Sequence, residues 1–278
     1  MFFRSFRTQF YIMVHQIGFQ IAFIIVLLSG LINTACWLSL DYIKGEGVDA
    51  SGAFLLNYYA PVGDQFSMLS LFLLMLPYCF TGLKNRDLHI DLLHIVRGNN
   101  RNYYIAGALT AFCGTVLIFF LPLMIELLIN QIFFTSTGML ADGFSIFGRN
   151  GGSLVWYDCL IPIEGFIRHP FLYNTVYALL YAMFMGIVAV MMYGISLYLK
   201  KNIYLFFPVY ILYFGINRIG DIVHSFVDPI IQYDFLVYFK VTCATGSNIY
   251  ISLVAIGMLM VSIILIRYKV ISDQGVSG

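Results

Sequence analysis

The sequence predicts an all-α polytopic membrane protein: six transmembrane helices, an N-terminal interfacial helix, a short cytosolic helix between spans two and three, and both termini cytosolic. Three observations predict it. Of the 278 residues, 60% are hydrophobic and only 10% charged, with a mean hydropathy of +0.86, whereas a soluble domain carries roughly 25% charged residues. Six stretches are long and apolar enough for a helix, which crosses the hydrocarbon in about 20 residues. The basic residues, finally, divide unequally between the two sets of connections. A net charge of +1 provides no field to attract nucleic acid, so membrane lipid is the expected surrounding.

The first seventeen residues form an element of their own. Phe3, Phe6, Phe10, Val14 and Ile17 recur at three- and four-residue steps, and Arg4, Arg7, Thr8, Tyr11 and His15 take the other side. Such a helix suits the inner headgroup layer, and no small-residue cleavage site follows it to suggest a signal peptide. Spans one to three occupy 18–129, at about 18–40, 66–82 and 103–129. An outer segment covers 130–171, too long for a passive connection. It interleaves Gly138, Gly143, Gly148, Gly151 and Gly152 with Phe134, Phe144, Phe147, Trp156 and Phe166. Spans four to six fill 172–268, at about 172–199, 203–224 and 248–267, and 269–278 is a cytosolic tail. Nothing divides the chain, so 1–278 reads as a single domain. The segment 130–171 and the half-apolar 225–246 are both expected to dip back toward the membrane or cap its outer mouth.

Orientation follows from the 15 Lys and Arg. With both termini inside, Arg4, Arg7, Lys84, Arg86, Arg97, Arg101, Lys200, Lys201, Arg267 and Lys269 are cytosolic. Only Lys44, Arg149, Arg168 and Lys240 fall outside, and Arg218 lies within a span. Asp41, Glu46, Asp49, Asp142, Asp158, Glu164, Asp228 and Asp234 lean outward.

This places "GLKNRDLHIDLLHIVRGNNR", residues 82–101, in the cytosol. Leu88, Leu92, Ile95 and Val96 form one stripe of a three-turn helix, while Asp87, Asp91 and His94 form another. Asn85 or Asp87 caps the start, Arg97 suits the carboxyl end, and Gly98 stops it. An apolar stripe facing cytosol calls for a cover of lipid or protein, and a docking element is expected.

Reactive constellations are missing from the sequence. HExxH, GxSxG, paired intramembrane aspartates and the nucleotide-binding GxxxxGK[ST] do not occur, and neither enzymatic activity nor a metal site is expected. His89 and His94 stand five apart and face different sides of a helix. The five cysteines (Cys36, Cys79, Cys113, Cys159, Cys243) show no CxxC spacing. Cys159 and Cys243 fall on the same side, where free thiols are preferred and pairing stays open. Charge inside a span is the stronger pointer. Arg218 is followed by Asp221, His224 and Asp228 at steps of three, three and four, and the face reads equally as a structural ion pair or a pathway lining. Tyr213, Asn217 and Glu126 join this candidate pathway. Asn33, Thr34, Trp37, Tyr78 and Tyr210 add small polar and aromatic groups, and a cavity among them suits an amphipathic ligand better than a sugar or an ion.

An interfacial first helix, six spans and a cytosolic helix after span two resemble type-2 ATP-binding cassette exporter permeases. The stretch "FTGLKNRDLHIDLLHIVRGNNRNYYIAGAL" is similar to that family's coupling-helix loop, with Gly98 and Arg101 as the glycine and basic residue ahead of span three. About 225–246 corresponds to the family's re-entrant segment between spans five and six. In size the chain is similar to small bacterial permeases of peptide export and immunity, including those for phenol-soluble modulins. The long outer segment 130–171 departs from the pattern. The resemblance implies a permease subunit in a bacterial cell membrane and no cofactor in this chain. ATP and Mg would be held by a separate cytosolic ATPase. That ATPase would dock on Arg86, Asp87, Leu88, Asp91, Leu92, His94, Ile95 and Arg97, and a second permease chain, as a homodimer or a heterodimer with a related permease, would complete the pathway. A secondary transporter or channel without an ATPase is the rival expectation.

Overall fold

Lipid tails are as apolar as leucine, so helices inside a bilayer associate through close packing and polar contacts rather than hydrophobic drive. Small residues and buried amides should therefore mark the helix contacts. The computed structural model describes residues 2–44, 50–57, 60–79, 100–134, 169–199, 206–227 and 248–275, with single positions 161, 204, 236 and 239. The described residues form seven helices: α1 (Phe2–Val14), α2 (Ile17–Lys44), α3 (Gly63–Leu73), α4 (Asn100–Phe133), α5 (Pro170–Ser196), α6 (Phe206–Val227) and α7 (Asn248–Gly275). Four stretches, Ile17–Leu40, Arg101–Phe133, Pro170–Ser196 and Ile249–Ser272, are long and apolar enough to cross a membrane. They match spans one, three, four and six and mark a membrane protein.

The centre is the antiparallel pair α4 and α5. Tyr193 lies against Gly107, Phe112 against Gly186, and the rings of Phe119 and Tyr181 meet at 5.6 Å. α2 runs parallel to α4, with Gly30 against Glu126 and Thr34 bonded to Asn130. α7 runs antiparallel to α4 and parallel to α5, where Gly194 lies beside Leu265. One end of the bundle, here the proximal end, gathers α1, the starts of α2 and α4, and the last turns of α5 and α7. The opposite end is distal.

Two expected spans differ. The stretch 66–82 contains α3, only 11 residues, about 16 Å of helix. Turns follow over 74–78, where Pro77 disfavours helix for the residue before it. The element nevertheless threads the core, with Phe66 against Phe119 and Tyr181, and Tyr78 beside Tyr193. α6 is helical over 22 residues and touches α3 through Phe72 and Tyr210 at 4.7 Å. Neither proline breaks its helix. α4 continues through Pro122, and Pro208 sits in the first turn of α6, where the missing N–H costs nothing.

α1 is helical as expected, but its docked face is centred on Gln9 and Met13, the two buried residues. Gln9 donates to the Tyr103 carbonyl at 3.2 Å and accepts from the Tyr78 hydroxyl at 2.6 Å. Phe3, expected on the apolar stripe, is 82% exposed, as a face turned to lipid is. A polar clamp to α4 has set the rotation of this helix. The expected docking helix at 84–97 and the segment 135–160 lie outside the described residues.

A Cβ at Gly18 would stand 2.6 Å from the Leu76 carbonyl oxygen, whereas one at Gly257 meets open space. Gly18→Ala is predicted to destabilise the purified protein by about 1–3 kcal/mol, as overpacking against backbone does. Gly257→Ala should be neutral or gain up to about 1 kcal/mol of helix propensity. Thermal unfolding in detergent compares the two, and equal melting temperatures would contradict the packing.

Candidate functional site

Non-helical backbone within a membrane has to be covered by protein and hydrogen-bonded there. Residues 50–57, "ASGAFLLN", present that problem. They run in turns, and every one of them is buried. The small residues Ala50, Ser51, Gly52 and Ala53 let the chain turn tightly between helices. Asn57 N–H donates to the Phe54 carbonyl at 2.9 Å, and Ala60 N–H to the Asn57 carbonyl at 3.1 Å, leading into α3.

Three side chains from three helices hold this segment. Asn33 of α2 donates through Nδ2 to the Ala53 carbonyl at 2.7 Å. Glu126 of α4 accepts the Leu55 N–H at Oε1, 2.9 Å away. Asn174 of α5 donates through Nδ2 to the Ser51 carbonyl at 3.0 Å. The clamps are also joined to each other. Asn33 Nδ2 donates to Glu126 Oε1 at 3.1 Å, and the Thr34 hydroxyl donates to Asn130 Oδ1 at 2.7 Å. Asn33, Asn130 and Asn174 are 0% exposed and Glu126 1%. On α2 the buried stripe Gly30, Asn33, Thr34 and Trp37 follows helical spacing, and on α4 Glu126 and Asn130 stand one turn apart. Trp37 closes the cluster beside Ala50, Ala53 and Phe134.

Two of the clamps stand at similar positions along their helices. Asn33 lies seven residues before Leu40 and Glu126 seven before Phe133, the distal ends of their apolar stretches, or about 10 Å in at 1.5 Å per residue. Gly30 makes room for the carboxyl, since a Cβ there would stand 3.1–3.2 Å from the Glu126 side chain. Asn33 Oδ1, Glu126 Oε2 and Asn130 Nδ2 have no partner among the described residues. Two acceptors and one donor can receive a small polar group, or act as alternative partners if the segment shifts.

The expected pathway residues divide. Glu126 is bonded to α2 and the segment 50–57. Tyr213, on α6, is buried, and Asn217 is half-buried with an unpartnered buried Oδ1 among the described residues. Arg218 is exposed, on a stripe with Phe207, Ile211, Phe214 and Ile222. Asp221 lies on α6, as does His224, but their side chains lie outside the described residues. The coupling set Arg86, Asp87, Leu88, Asp91, Leu92, His94, Ile95 and Arg97 lies outside them too. Sequence reasoning missed Asn130, Asn174 and the segment 50–57. The available signal was polar residues at matching depth in two spans, Asn33 with Thr34 and Glu126 with Asn130.

Comparison with known proteins returns no matching family model, no matching curated protein and no matching solved structure.

Removing the Glu126 acceptor strands the Leu55 N–H in a dry site. Glu126→Ala is predicted to cost about 1–3 kcal/mol, and Glu126→Gln, which keeps an oxygen at that place, should cost less. Asn33→Ala combined with Glu126→Ala should be clearly less damaging than the sum of the two, because the side chains are bonded to each other. Unfolding of the four proteins in detergent supplies the cycle, and strict additivity would sink the idea of one clamp.

Proposed function

We propose that the chain is the membrane-spanning permease subunit of an ATP-driven exporter of the type-2 ATP-binding cassette class. It moves an amphipathic or hydrophobic substrate, a small peptide before others, out of a bacterial cell. A separate cytosolic ATPase carries ATP and Mg, and its docking helix lies at 84–97. A second copy of the permease completes the pathway.

The observation that carries this reading is the difference between the two ends of the bundle. The distal end is closed by a buried turn-rich segment clamped from α2, α4 and α5. A cleft opens at the proximal end between α4, α5 and α7. A turn-rich segment held at one end and an open cleft at the other suit a subunit that is worked between two states. With the basic residues inside, the closed end is the outer one. A secondary transporter would call for helices broken at mid-depth, and α4 runs unbroken through Pro122.

Charge reversal at Asp87 and Asp91 to Lys is predicted to abolish co-purification with the ATPase encoded beside this chain, while membrane insertion is kept. Stimulated ATP turnover in vesicles should fall to the level of the ATPase alone. Retained co-purification and turnover would count against the proposal, as would export by the permease alone in sealed vesicles without nucleotide.

A further inference from the structure

The proximal cleft measures about 800 Å³, within the roughly 300–1,000 Å³ of small-molecule sites. Its walls are Ile105 and Ala108 of α4, Val190 of α5, and Leu259 and Ile263 of α7, with Arg101 and Arg267 lining the same space. The polarity is graded along the helix axes. Arg101 and Arg267 stand toward the proximal end of antiparallel neighbours and are exposed. Ala108 lies seven residues deeper on α4 and Leu259 eight residues deeper on α7, about 10–12 Å at 1.5 Å per residue. The hydroxyl in the wall is already used, since Ser262 donates to the Met258 carbonyl at 2.6 Å. Below the arginines, therefore, the described walls are apolar.

An independent feature puts the two guanidinium groups at headgroup level. Tyr198 donates to the Leu265 carbonyl at 2.6 Å, and its ring lies 6.3 Å from that of Tyr268, next to Arg267. Both tyrosines are exposed, and amphipathic rings at a helix end mark the membrane–water interface. A cleft with two cations at the interface and a greasy channel about 10 Å deep beneath them matches one chemistry. The occupant needs a negative head and an apolar tail.

We infer that this cleft is a binding site for one anionic phospholipid of the adjacent leaflet. Its phosphate is held between Arg101 and Arg267, and an acyl chain lies along Ala108, Val190 and Leu259. Basic pockets between transmembrane helices take anionic headgroups in this way. The site depends on the chain being a membrane protein and not on the exporter proposal, so it can be tested without an ATPase or a transported substrate.

The test is native mass spectrometry of the full chain, released from nanodiscs of equal phosphatidylglycerol and phosphatidylcholine. Two arginines should favour the anionic lipid by roughly thirtyfold, and Arg267→Gln should cut that preference about fivefold. Arg267→Lys should keep most of it. Ile263→Trp, which fills the cleft, should abolish retention of both lipids. Free glycerol phosphate at millimolar concentration should not displace the lipid, because it lacks the chain that the walls receive. Should Arg267→Gln fold poorly, stabilisation of the wild-type chain against heat by phosphatidylglycerol and not by phosphatidylcholine gives the same answer. Equal retention of the two lipids overturns the site. So does Ile263→Trp that breaks a dimer while lipid retention is unchanged, because a second copy would then fill the cleft.

Discussion

The structure depends on one constraint, that the buried peptide groups of residues 50–57, near the distal end of the bundle, must find protein partners. Residues 50–57 run in turns rather than in a helix, so turn bonds such as Asn57 N–H to the Phe54 carbonyl satisfy only part of their backbone. Asn33, Glu126 and Asn174 meet three of them, each from a different helix. An unsatisfied amide in apolar surroundings costs several kcal/mol, so a helix that slipped by one residue would lose far more than a contact. The clamp thereby sets the register of α2, α4 and α5 at a single level, and the parallel course of α2 and α4 follows from it.

From that level toward the proximal end the chemistry changes. α4 and α5 approach through glycines covered by rings, Gly107 by Tyr193 and Gly186 by Phe112. Such contacts are close but not strongly directional. Among the described residues, directional bonding returns at Gln9, which ties α1 to Tyr103 and Tyr78, and at Tyr198, which bonds the Leu265 carbonyl of α7. Between the two polar clamps the bundle is held by shape, which tolerates small displacements better than a set of short hydrogen bonds does. α6 and α7 lie outside this tightly packed part. Their large apolar side chains, Phe207, Ile211, Leu253 and Ile264 among them, are more than half exposed, as lipid or a neighbouring chain allows.

Helix content was legible in the sequence because crossing a membrane leaves a plain mark, about 20 apolar residues, and spans one, three, four and six were readable from it. The second is not confirmed. The stretch 66–82 is apolar for its whole length, yet hydropathy carries no sign of the turns over 74–78 that separate α3 from the helical Cys79. Glu126 was legible as a charge at depth, but its partners were not. Asn33 and Thr34 read as polar groups of a ligand cavity, because their clamping role depends on a segment more than 15 positions away that has no periodicity. Asn174 was invisible for the same reason, one polar residue near a helix start being unremarkable until the Ser51 carbonyl is opposite it. Arg218 read equally as half of an ion pair or as a pathway lining, and the spacing of one helix carries no sign of the exposed stripe that it shares with Phe207, Ile211, Phe214 and Ile222.

The two ends therefore differ in how easily they can move, and the difference has a direction. Opening the distal end requires releasing the segment 50–57 from three helices together, since Asn33 and Glu126 share their bonds. At about 0.6 kcal/mol for an average hydrogen bond inside a membrane, and up to about 1.5 kcal/mol in a typical folded protein, three clamps amount to roughly 2–5 kcal/mol. Left alone, the distal end would be open at most a few per cent of the time. A ligand can shift such an equilibrium only by its differential affinity for the two states, and an apolar cargo in a distant cleft has little purchase on three amide contacts. A lever attached at the proximal end of α4 is better placed. α4 is a continuous helix about 50 Å long at 1.5 Å per residue, with Arg101 at one end and Glu126 near the other. Tilting it would displace the Glu126 carboxylate from Leu55 while the glycine-lined middle yields. On the proposed exporter reading, that is the physical reason to look for a separate motor.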